Sequence, residues 1–169
     1  MADLAAVDYS VEDELDGAGR ARVLLVASGG GHLAQLMELR PWWQYHDRRW
    51  VTFDQPDTRS KLGDEYLIAA HHPTTRNARN TVRNWALARR VLGDYRPDVV
   101  ISTGAGVAFP FFVEARRRGV PTVYLEVYDR IDSPTLTGRL CHPFTTTFLT
   151  QWPEQQALYR NSTLIGPIY

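Results

Sequence analysis

Two glycine-rich segments of this sequence could bind an anion through their backbone N–H groups. They are SGGGH at residues 28–32 and STGAG at residues 102–106, and each follows a run of apolar residues. Glycine lets the backbone approach a ligand closely and adopt positive φ angles. Where such a segment leads into a helix, free N–H groups and the helix dipole favour a phosphate. Tight strand-to-helix turns without a ligand are the structural alternative.

The two segments together predict a diphosphate site, because they are expected to meet where the strand order of a sheet reverses. The residues expected to bind substrate there are Ser28, Gly29, Gly30, Gly31, Thr103, Gly104, Ala105 and Gly106. Asp129 and Arg130 follow a later strand and are expected to contact the same substrate.

Two titratable residues beside these segments are the candidate catalytic groups. His32 begins the first predicted helix, where it could act as a general base or a hydrogen-bond donor. Glu126 ends a predicted strand, and its carboxylate could accept a proton from a substrate hydroxyl or orient His32. The structural alternatives are a capping or packing role for the histidine, and an ion pair between Glu126 and Arg130.

A dinucleotide site is the rival interpretation of the first glycine segment. Residues 29–34 fit the pattern G-x-G-x-x-G/A, and Asp54 follows about 20 residues later, as a ribose contact would require. A nicotinamide-binding protein is therefore an alternative function. The second glycine segment, and a length of 169 residues that is short for a dehydrogenase, favour the diphosphate site. His71 and His72 lack partners at ligand spacing, so neither a metal nor a cofactor is expected.

The elements that must position these residues follow from the hydrophobic pattern. Strand-like runs lie at residues 22–28, 49–53, 66–70, 98–102, 121–126, 146–150 and 163–165. Helical patterns lie at residues 31–39, 77–92, 107–118, 134–140 and 153–159. This alternation predicts an α/β fold, a doubly wound and mainly parallel sheet with helices on both faces. Ligands bind such a sheet beyond the carboxyl ends of its strands, and the first and fourth strands are expected to flank the site.

The helix predicted over residues 77–92 has two distinct faces. Its apolar face is expected to contain Ala78, Val82, Trp85, Ala88 and Leu92. A basic stripe lies away from that face and consists of Arg76, Arg79, Arg83 and Arg90. The stripe is either a solvated surface or a contact for lipid phosphates.

Charge divides the chain into an acidic arm and a basic body. Residues 1–20 hold six acidic residues and one basic residue and are expected to be disordered. Residues 21–169 form the predicted domain, with 18 basic and 13 acidic residues and a net charge of +5. A basic body suits phosphates or an anionic membrane surface.

Composition also bears on where the protein works. The lone cysteine, Cys141, fits a reducing cytoplasm and is expected to be a small buried hydrophobe. No stretch approaches the roughly 20 apolar residues that span a bilayer, so membrane contact is expected to be peripheral. No nucleic-acid partner is expected.

Five motifs in order resemble the PssD family of polysaccharide and oligosaccharide biosynthesis proteins. They are SGGGHLAQL (28–36), HHPTTRN (71–77), PDVVISTGAGVAFPF (97–111), YLEVYDRIDSPTLTGRL (124–140) and QWPEQ (151–155). That family is similar to the acceptor-side, membrane-recruiting subunit of the dolichol-linked UDP-N-acetylglucosamine transferase. More distantly, the motifs resemble the N-terminal half of MurG. One departure is His142, which stands where the family pattern has an aromatic residue.

The resemblance implies the Rossmann-like, N-terminal half of a GT-B glycosyltransferase. Such a subunit is active only with a PssE-like partner chain, which binds the UDP-sugar. The acceptor would be a sugar linked to polyprenyl diphosphate, and the complex would work peripherally at the cytoplasmic face of the cell membrane. His32 takes the position of the family's loop histidine, and Glu126 that of the acidic residue after the fifth strand. A non-catalytic scaffold that recruits the catalytic partner is the alternative.

Overall fold

A single seven-stranded sheet organises the part of the chain that the structure, a computed structural model, describes, namely residues 19–168. The acidic arm expected over residues 1–20 lies outside the described residues except for its last two. The strands are β1 (Arg22–Val26), β2 (Asp47–Thr52), β3 (Leu67–Ala69), β4 (Val99–Ser102), β5 (Thr122–Leu125), β6 (Thr147–Thr150) and β7 (Ser162–Leu164). Each corresponds to one of the strands that the hydrophobic pattern predicts.

Helices connect these strands. They are α1 (Gly31–Glu38), α2 (Arg40–Trp43), α3 (Pro56–Leu62), α4 (Ala78–Tyr95), α5 (Ala108–Arg117), α6 (Leu136–Cys141) and α7 (Pro153–Leu158), with a 3-10 turn at His142–Phe144. The pattern did not predict α2 and α3, which have only four and seven residues. Both begin with a proline in the first turn, where the missing N–H has no intrahelical partner to lose.

The strand order is β3-β2-β1-β4-β5-β6-β7, and all neighbouring strands are parallel. The order reverses between β1 and β4, which pair from Val23 opposite Val99 to Val26 opposite Ser102. The predicted doubly wound α/β fold is therefore confirmed. Both glycine segments follow the carboxyl ends of the two strands at this reversal, so the fold brings them side by side.

The central strand β1 is apolar at successive positions because both faces of the sheet are covered. Leu24 and Val26 point into a core with residues of α4 and α5. Val23 and Leu25 point to the opposite face, where they pack with Leu33 of α1 and other residues. All four strand residues are fully buried. The sheet thus lies between two hydrophobic layers. Packing on both faces fixes the ends of the strands from which the glycine segments emerge.

The buried face of α4 differs from the predicted one. Val82, expected in the core, is 69% exposed, whereas Asn80 and Asn84 are buried. The Asn80 side chain donates to the Pro73 carbonyl at 2.9 Å. Asn84 both accepts from the His71 N–H at 2.8 Å and donates to the His71 carbonyl at 2.9 Å. Satisfied polar groups thus replace apolar ones at the start of this helix, because they anchor the segment that precedes it.

Cys141 at the end of α6 is fully buried, as the sequence predicts for a structural cysteine. Burial, with a smaller contribution from Glu126, raises the pKa of its thiol well above the usual range. A thiol that stays protonated is a poor nucleophile. The cysteine therefore serves the core and takes no part in the site.

Candidate functional site

The two glycine segments contact each other directly at the carboxyl ends of β1 and β4. The His32 Nδ1 atom lies 2.8 Å from the carbonyl oxygen of Thr103. In return, the Thr103 hydroxyl donates to the His32 carbonyl oxygen at 2.6 Å. This reciprocal pair fixes the start of α1 against the loop that follows β4, and it holds the imidazole in one orientation.

The contact with Thr103 also determines the tautomer of His32. A carbonyl oxygen can only accept a hydrogen bond, so Nδ1 must carry the hydrogen. In the neutral ring, the lone pair of Nε2 is then free to accept a proton. Within residues 19–168, Nε2 has no hydrogen-bond partner. The geometry therefore suits a general base.

Backbone N–H groups in both segments are free to bind a ligand. In the described part of the chain, the amides of residues 29–33 and 105–107 have no hydrogen-bond acceptor. The amide of Gly104 is an exception, because it donates to the Ser102 hydroxyl at 2.9 Å. Two groups of N–H donors without partners therefore lie at the reversal point, and α1 adds the positive end of its dipole.

The second glycine segment has an unusual backbone. Gly104 has a φ of 112°, and the neighbouring Ala105 has a φ of 67°, which is uncommon for a residue with a side chain. A Cβ atom at Gly104 would lie 2.6 Å from the Tyr124 hydroxyl and 3.2 Å from Cε1 of His32. Glycine is therefore required where this loop passes between the histidine ring and the core.

A cavity of about 760 Å³, the main cavity, opens beside the histidine. Both glycine segments contribute to its wall through Ser28, His32, Ala105 and Gly106. The β3–α4 segment contributes polar residues, among them His72, Thr74, Thr75 and Arg76. The remaining wall is largely apolar and includes Phe53, Phe109, Leu136 and Leu140. The main cavity thus joins anion-binding groups to a hydrophobic surface.

A second cavity, of about 340 Å³, also borders this histidine. Its lining consists of Gly31, His32, Gln35, Val127, Tyr128, Asp129, Arg130 and Thr135. The structure therefore places Asp129 and Arg130 in the same cavity wall as Gly31 of the first glycine segment. His32 belongs to the walls of both cavities.

Glu126 lines neither of these cavities. The residue is fully buried, and its carboxylate accepts hydrogen bonds from the hydroxyls of Thr135 and Tyr159 and from the N–H of Val127. Burial and the adjacent carboxylate raise the pKa of Tyr159, so its hydroxyl remains a donor. The ion pair with Arg130 is not among the ion pairs of residues 19–168. In this arrangement Glu126 anchors the segment that carries Asp129 and Arg130.

Two glutamines that sequence reasoning assigned no role hold the same segment. Gln155 donates to the carbonyl oxygens of Val127 and Arg130 at 2.6 and 3.1 Å. Gln151 donates to the carbonyl oxygen of Glu126 at 2.9 Å. Both glutamines are buried. The motif at residues 151–155 was visible in the sequence, but its contacts lie about 25 residues away in the chain and only the fold reveals them.

Replacing Glu126 with glutamine tests this anchoring role. An amide would direct donors at groups that already donate, so we expect the free energy of unfolding to fall by about 1–3 kcal/mol. Urea unfolding measures the loss. Glu114→Gln is the matched control, because Glu114 is also a buried carboxylate but pairs with Arg118 away from the site. Unchanged stability of Glu126→Gln would contradict the network described here.

The residue that a dinucleotide site would use is engaged elsewhere in the structure. Asp54, the ribose contact of a dinucleotide site, accepts a hydrogen bond from Arg59 at 2.6 Å. That partner also lowers the pKa of the aspartate. Across residues 19–168, no group of three or more histidine, cysteine, aspartate and glutamate residues could hold a metal ion.

Known proteins share both sequence and fold with this chain. The sequence matches no protein-family model. It is 24% identical to UDP-N-acetylglucosamine transferase subunit ALG14 of Mus musculus, over 87% of this chain and 82% of that protein. The corresponding subunit of Schizosaccharomyces pombe is 31% identical over 41% of this chain and 36% of that protein.

A second group of relatives matches over a smaller share of its length. The UDP-N-acetylglucosamine--N-acetylmuramyl-(pentapeptide) pyrophosphoryl-undecaprenol N-acetylglucosamine transferase of Halothermothrix orenii is 35% identical over 44% of this chain and 19% of that protein. The solved structure of Acinetobacter baumannii MurG superimposes with a TM-score of 0.67 and 17% identity, over 79% of this chain and 42% of that one. A UDP-N-acetylglucosamine 2-epimerase from Rickettsia bellii gives 0.66 and 14%, over 82% and 41%. These structures share the fold.

Proposed function

We propose that this chain is the acceptor-binding subunit of a two-chain glycosyltransferase. It binds a sugar linked to polyprenyl diphosphate, and a partner chain presents a UDP-sugar. The observation that carries the proposal is the main cavity, where free amides of both glycine segments, Arg76 and an apolar wall surround one space. A diphosphate attached to a hydrocarbon chain needs this combination of groups. The sequence relatives named as N-acetylglucosamine transferases support the same chemistry.

The diphosphate binds to backbone donors in this account. The unpaired amides of residues 32, 105 and 106, which line the main cavity, meet its oxygens beside those of residues 29–31, and Arg76 adds a positive charge from the same cavity wall. The apolar residues Phe109, Leu136 and Leu140 then receive the first part of the lipid chain. These contacts fix the diphosphate and the start of the lipid chain.

His32 acts as the general base. A hydroxyl of the acceptor sugar attacks the anomeric carbon of the donor, and a new C–O bond forms as the bond from that carbon to the UDP oxygen breaks. Nε2 of His32 takes the hydroxyl proton, because Nδ1 is committed to the Thr103 carbonyl. UDP leaves with the electron pair of the broken bond. Glu126 is a positioning residue, since it holds the segment opposite the histidine.

A partner chain supplies the donor side of the cleft. The mouse relative, of which this chain spans 82%, is named as a subunit. This chain also corresponds to 42% of the MurG chain, so a second body of similar size would complete the same architecture. We assign the partner to the PssE-like class that the family resemblance implies.

Membrane contact is proposed at the mouth of the main cavity. Leu136 is 73% exposed and Leu140 45% exposed on α6, and Val82 is 69% exposed on α4. Arg79 and Arg83 are exposed on the same helix as Val82. Exposed apolar side chains near basic ones suit an anionic lipid surface at the cytoplasmic face. Among the helices of residues 19–168, none is long and apolar enough to cross a membrane.

A reconstituted transfer assay tests the proposed function. The purified chain and its PssE-like partner are mixed with radiolabelled UDP-N-acetylglucosamine or UDP-glucose and with sugar-linked polyprenyl diphosphate in vesicles. We expect labelled lipid only when both chains are present. Transfer by either chain alone, or a dependence on added nicotinamide dinucleotide, would contradict the proposal.

Gly31→Ala tests the amide site without disturbing the fold. A Cβ atom there meets no other atom within 4 Å, and alanine favours a helix over glycine. The methyl group would project beside the free amides, so we expect the KM for the acceptor to rise about tenfold, equivalent to about 1.4 kcal/mol. Gly93→Ala is the control, since its methyl would meet only the end of the Arg118 side chain at 3.4 Å. An unchanged KM in Gly31→Ala would exclude binding at this point.

A further inference from the structure

Five arginines lie together at the end of the sheet opposite the main cavity. α4 and α5 run back from the carboxyl ends of the strands and lead into the amino ends of β4 and β5. The ends of the two helices are in contact, because Arg118 after α5 donates to the Arg89 carbonyl oxygen of α4 at 3.0 Å. The exposed arginines in or just after the last two turns are Arg89, Arg90, Arg96, Arg116 and Arg117. We call these five the distal basic surface.

The distal basic surface carries more positive charge than neighbouring acidic residues neutralise. Within residues 19–168, none of its five arginines forms an ion pair. Two acidic residues of this region, Glu114 and Asp98, are already paired with other arginines. Asp47 and Asp94 remain, so an excess of positive charge faces the solvent. Cations also interact favourably with the dipole at a helix C-terminus, but that effect falls off within one turn.

The chemistry of this surface differs from that of the cavity end of α4. Arg79 and Arg83, the proximal arginines, lie on the same helix as the exposed Val82. Between residues 84 and 126, in contrast, the structure exposes no large apolar side chain. Lipid surfaces are bound most strongly where exposed apolar groups accompany basic ones, whereas an acidic peptide needs only the charges. The distal basic surface therefore fits an acidic peptide better than a membrane.

The chain itself contains such a peptide in its acidic arm. The arm joins the domain at the same end of the sheet, because Arg22 at the start of β1 pairs with Asp98, shortly after α4, at 3.0 Å. Four of its acidic residues lie four to eight residues before Arg20, and eight residues of chain span at most about 28 Å. A short tether of this kind gives an effective concentration of about millimolar, so even weak ion pairs suffice for binding.

We infer that the acidic arm binds the distal basic surface of its own chain. The carboxylates of the arm pair with the arginines at the ends of α4 and α5. The bound arm shields these arginines from anionic lipids, and the proximal arginines remain accessible at the other end of α4. Ion pairs between exposed groups are screened by salt, so about 1 M salt, where the Debye length is about 3 Å, releases the arm.

A spin label on the arm tests this contact in the full-length chain. Ser10→Cys provides the attachment point, since the native Cys141 is fully buried and its thiol stays protonated. We expect the label to broaden the backbone NMR signals of Arg116 and Arg117 and to leave those of the proximal arginines sharp. About 1 M salt should remove the broadening.

Matched substitutions identify the arginines that bind the arm. The distal variant, Arg90→Gln with Arg116→Gln and Arg117→Gln, should reduce the broadening at residues 116 and 117 several-fold. The proximal variant, Arg79→Gln with Arg83→Gln, should leave it unchanged. Broadening at residues 79 and 83 instead, or no site-specific broadening at low salt, would overturn the inference.

Binding to phosphatidylglycerol vesicles tests the shielding. A neutral-arm variant carries Glu12→Gln, Asp13→Asn, Glu14→Gln and Asp16→Asn, and we expect it to bind these vesicles about tenfold more tightly than the wild type. The distal substitutions should then lower the affinity about tenfold in the neutral-arm background and only about twofold in the wild-type background. An equal reduction in both backgrounds would show that the arm does not cover these arginines and would overturn the inference. Neither experiment depends on sugar transfer.

Discussion

Replacement of His32 with alanine is expected to lower kcat of the two-chain enzyme about 10²-fold or more, without preventing its assembly. The imidazole is oriented by its 2.8 Å contact with the Thr103 carbonyl, and it lines both the main cavity and the second cavity. Its loss would remove the proposed base for the hydroxyl proton. The diphosphate contacts come from backbone amides and remain, so the KM for the acceptor should change much less than kcat.

Two further variants distinguish proton transfer from local damage. His72→Ala removes another histidine from the main cavity wall, and it should leave kcat within about threefold of the wild type. Thr103→Val removes the hydroxyl contact to the His32 backbone but keeps the carbonyl contact to the ring, so its loss of kcat should be smaller. Co-purification with the partner verifies assembly. Unchanged turnover in His32→Ala would favour the scaffold alternative.

Gly104→Ala is expected to lower the free energy of unfolding by about 2–4 kcal/mol and to reduce sugar transfer with it. The backbone φ of 112° is strained for any residue with a Cβ atom. The new methyl would also lie 2.6 Å from the Tyr124 hydroxyl and 3.2 Å from the His32 ring. Tyr124 cannot move aside, because it is 1% exposed and stacks on Phe148 with ring centroids 4.9 Å apart. Urea unfolding measures the destabilisation.

The double variant Gly104→Ala, Tyr124→Phe separates the clash from the backbone strain. Removing the Tyr124 oxygen deletes the atom closest to the added methyl, so part of the lost stability should return relative to Gly104→Ala. Gly31→Ala serves as the control with open space around its methyl. Wild-type stability in Gly104→Ala would show that this loop adopts a different conformation.

The general architecture follows from local sequence signals. Two apolar runs, each followed by glycines, fix the positions of β1 and β4 and the meeting of their loops, because parallel strands in a doubly wound sheet end at one edge. The run at residues 22–26 has no polar alternation since both faces are buried. The position of His32 at the start of α1 follows from the same pattern.

The details that the sequence did not reveal depend on contacts between distant residues. Asn80 and Asn84 occupy the buried face of α4 because their hydrogen-bond partners lie in the segment before the helix. The spacing of apolar residues within the helix carries no information about that segment. Glu126 is close in sequence to Asp129 and Arg130, which line the second cavity. Its own carboxylate is instead bound by the hydroxyl of Tyr159, 33 residues later in the chain.

The departure at His142 has a simple structural account. Its ring packs against Phe148 and Tyr159, with centroid separations of 5.1 and 5.7 Å. The Nε2 atom also lies 2.9 Å from the carbonyl oxygen of Arg160. The histidine therefore packs as an aromatic residue would and adds a polar contact.

A calorimetric titration of the isolated chain with a short, soluble acceptor, N-acetylglucosamine linked to farnesyl diphosphate, tests the central claim most directly. We expect saturable binding without the partner, about tenfold weaker binding by Gly31→Ala, and no measurable binding of UDP-N-acetylglucosamine under the same conditions. Binding of the UDP-sugar in place of the acceptor, or acceptor binding that Gly31→Ala leaves unchanged, would contradict the proposed function.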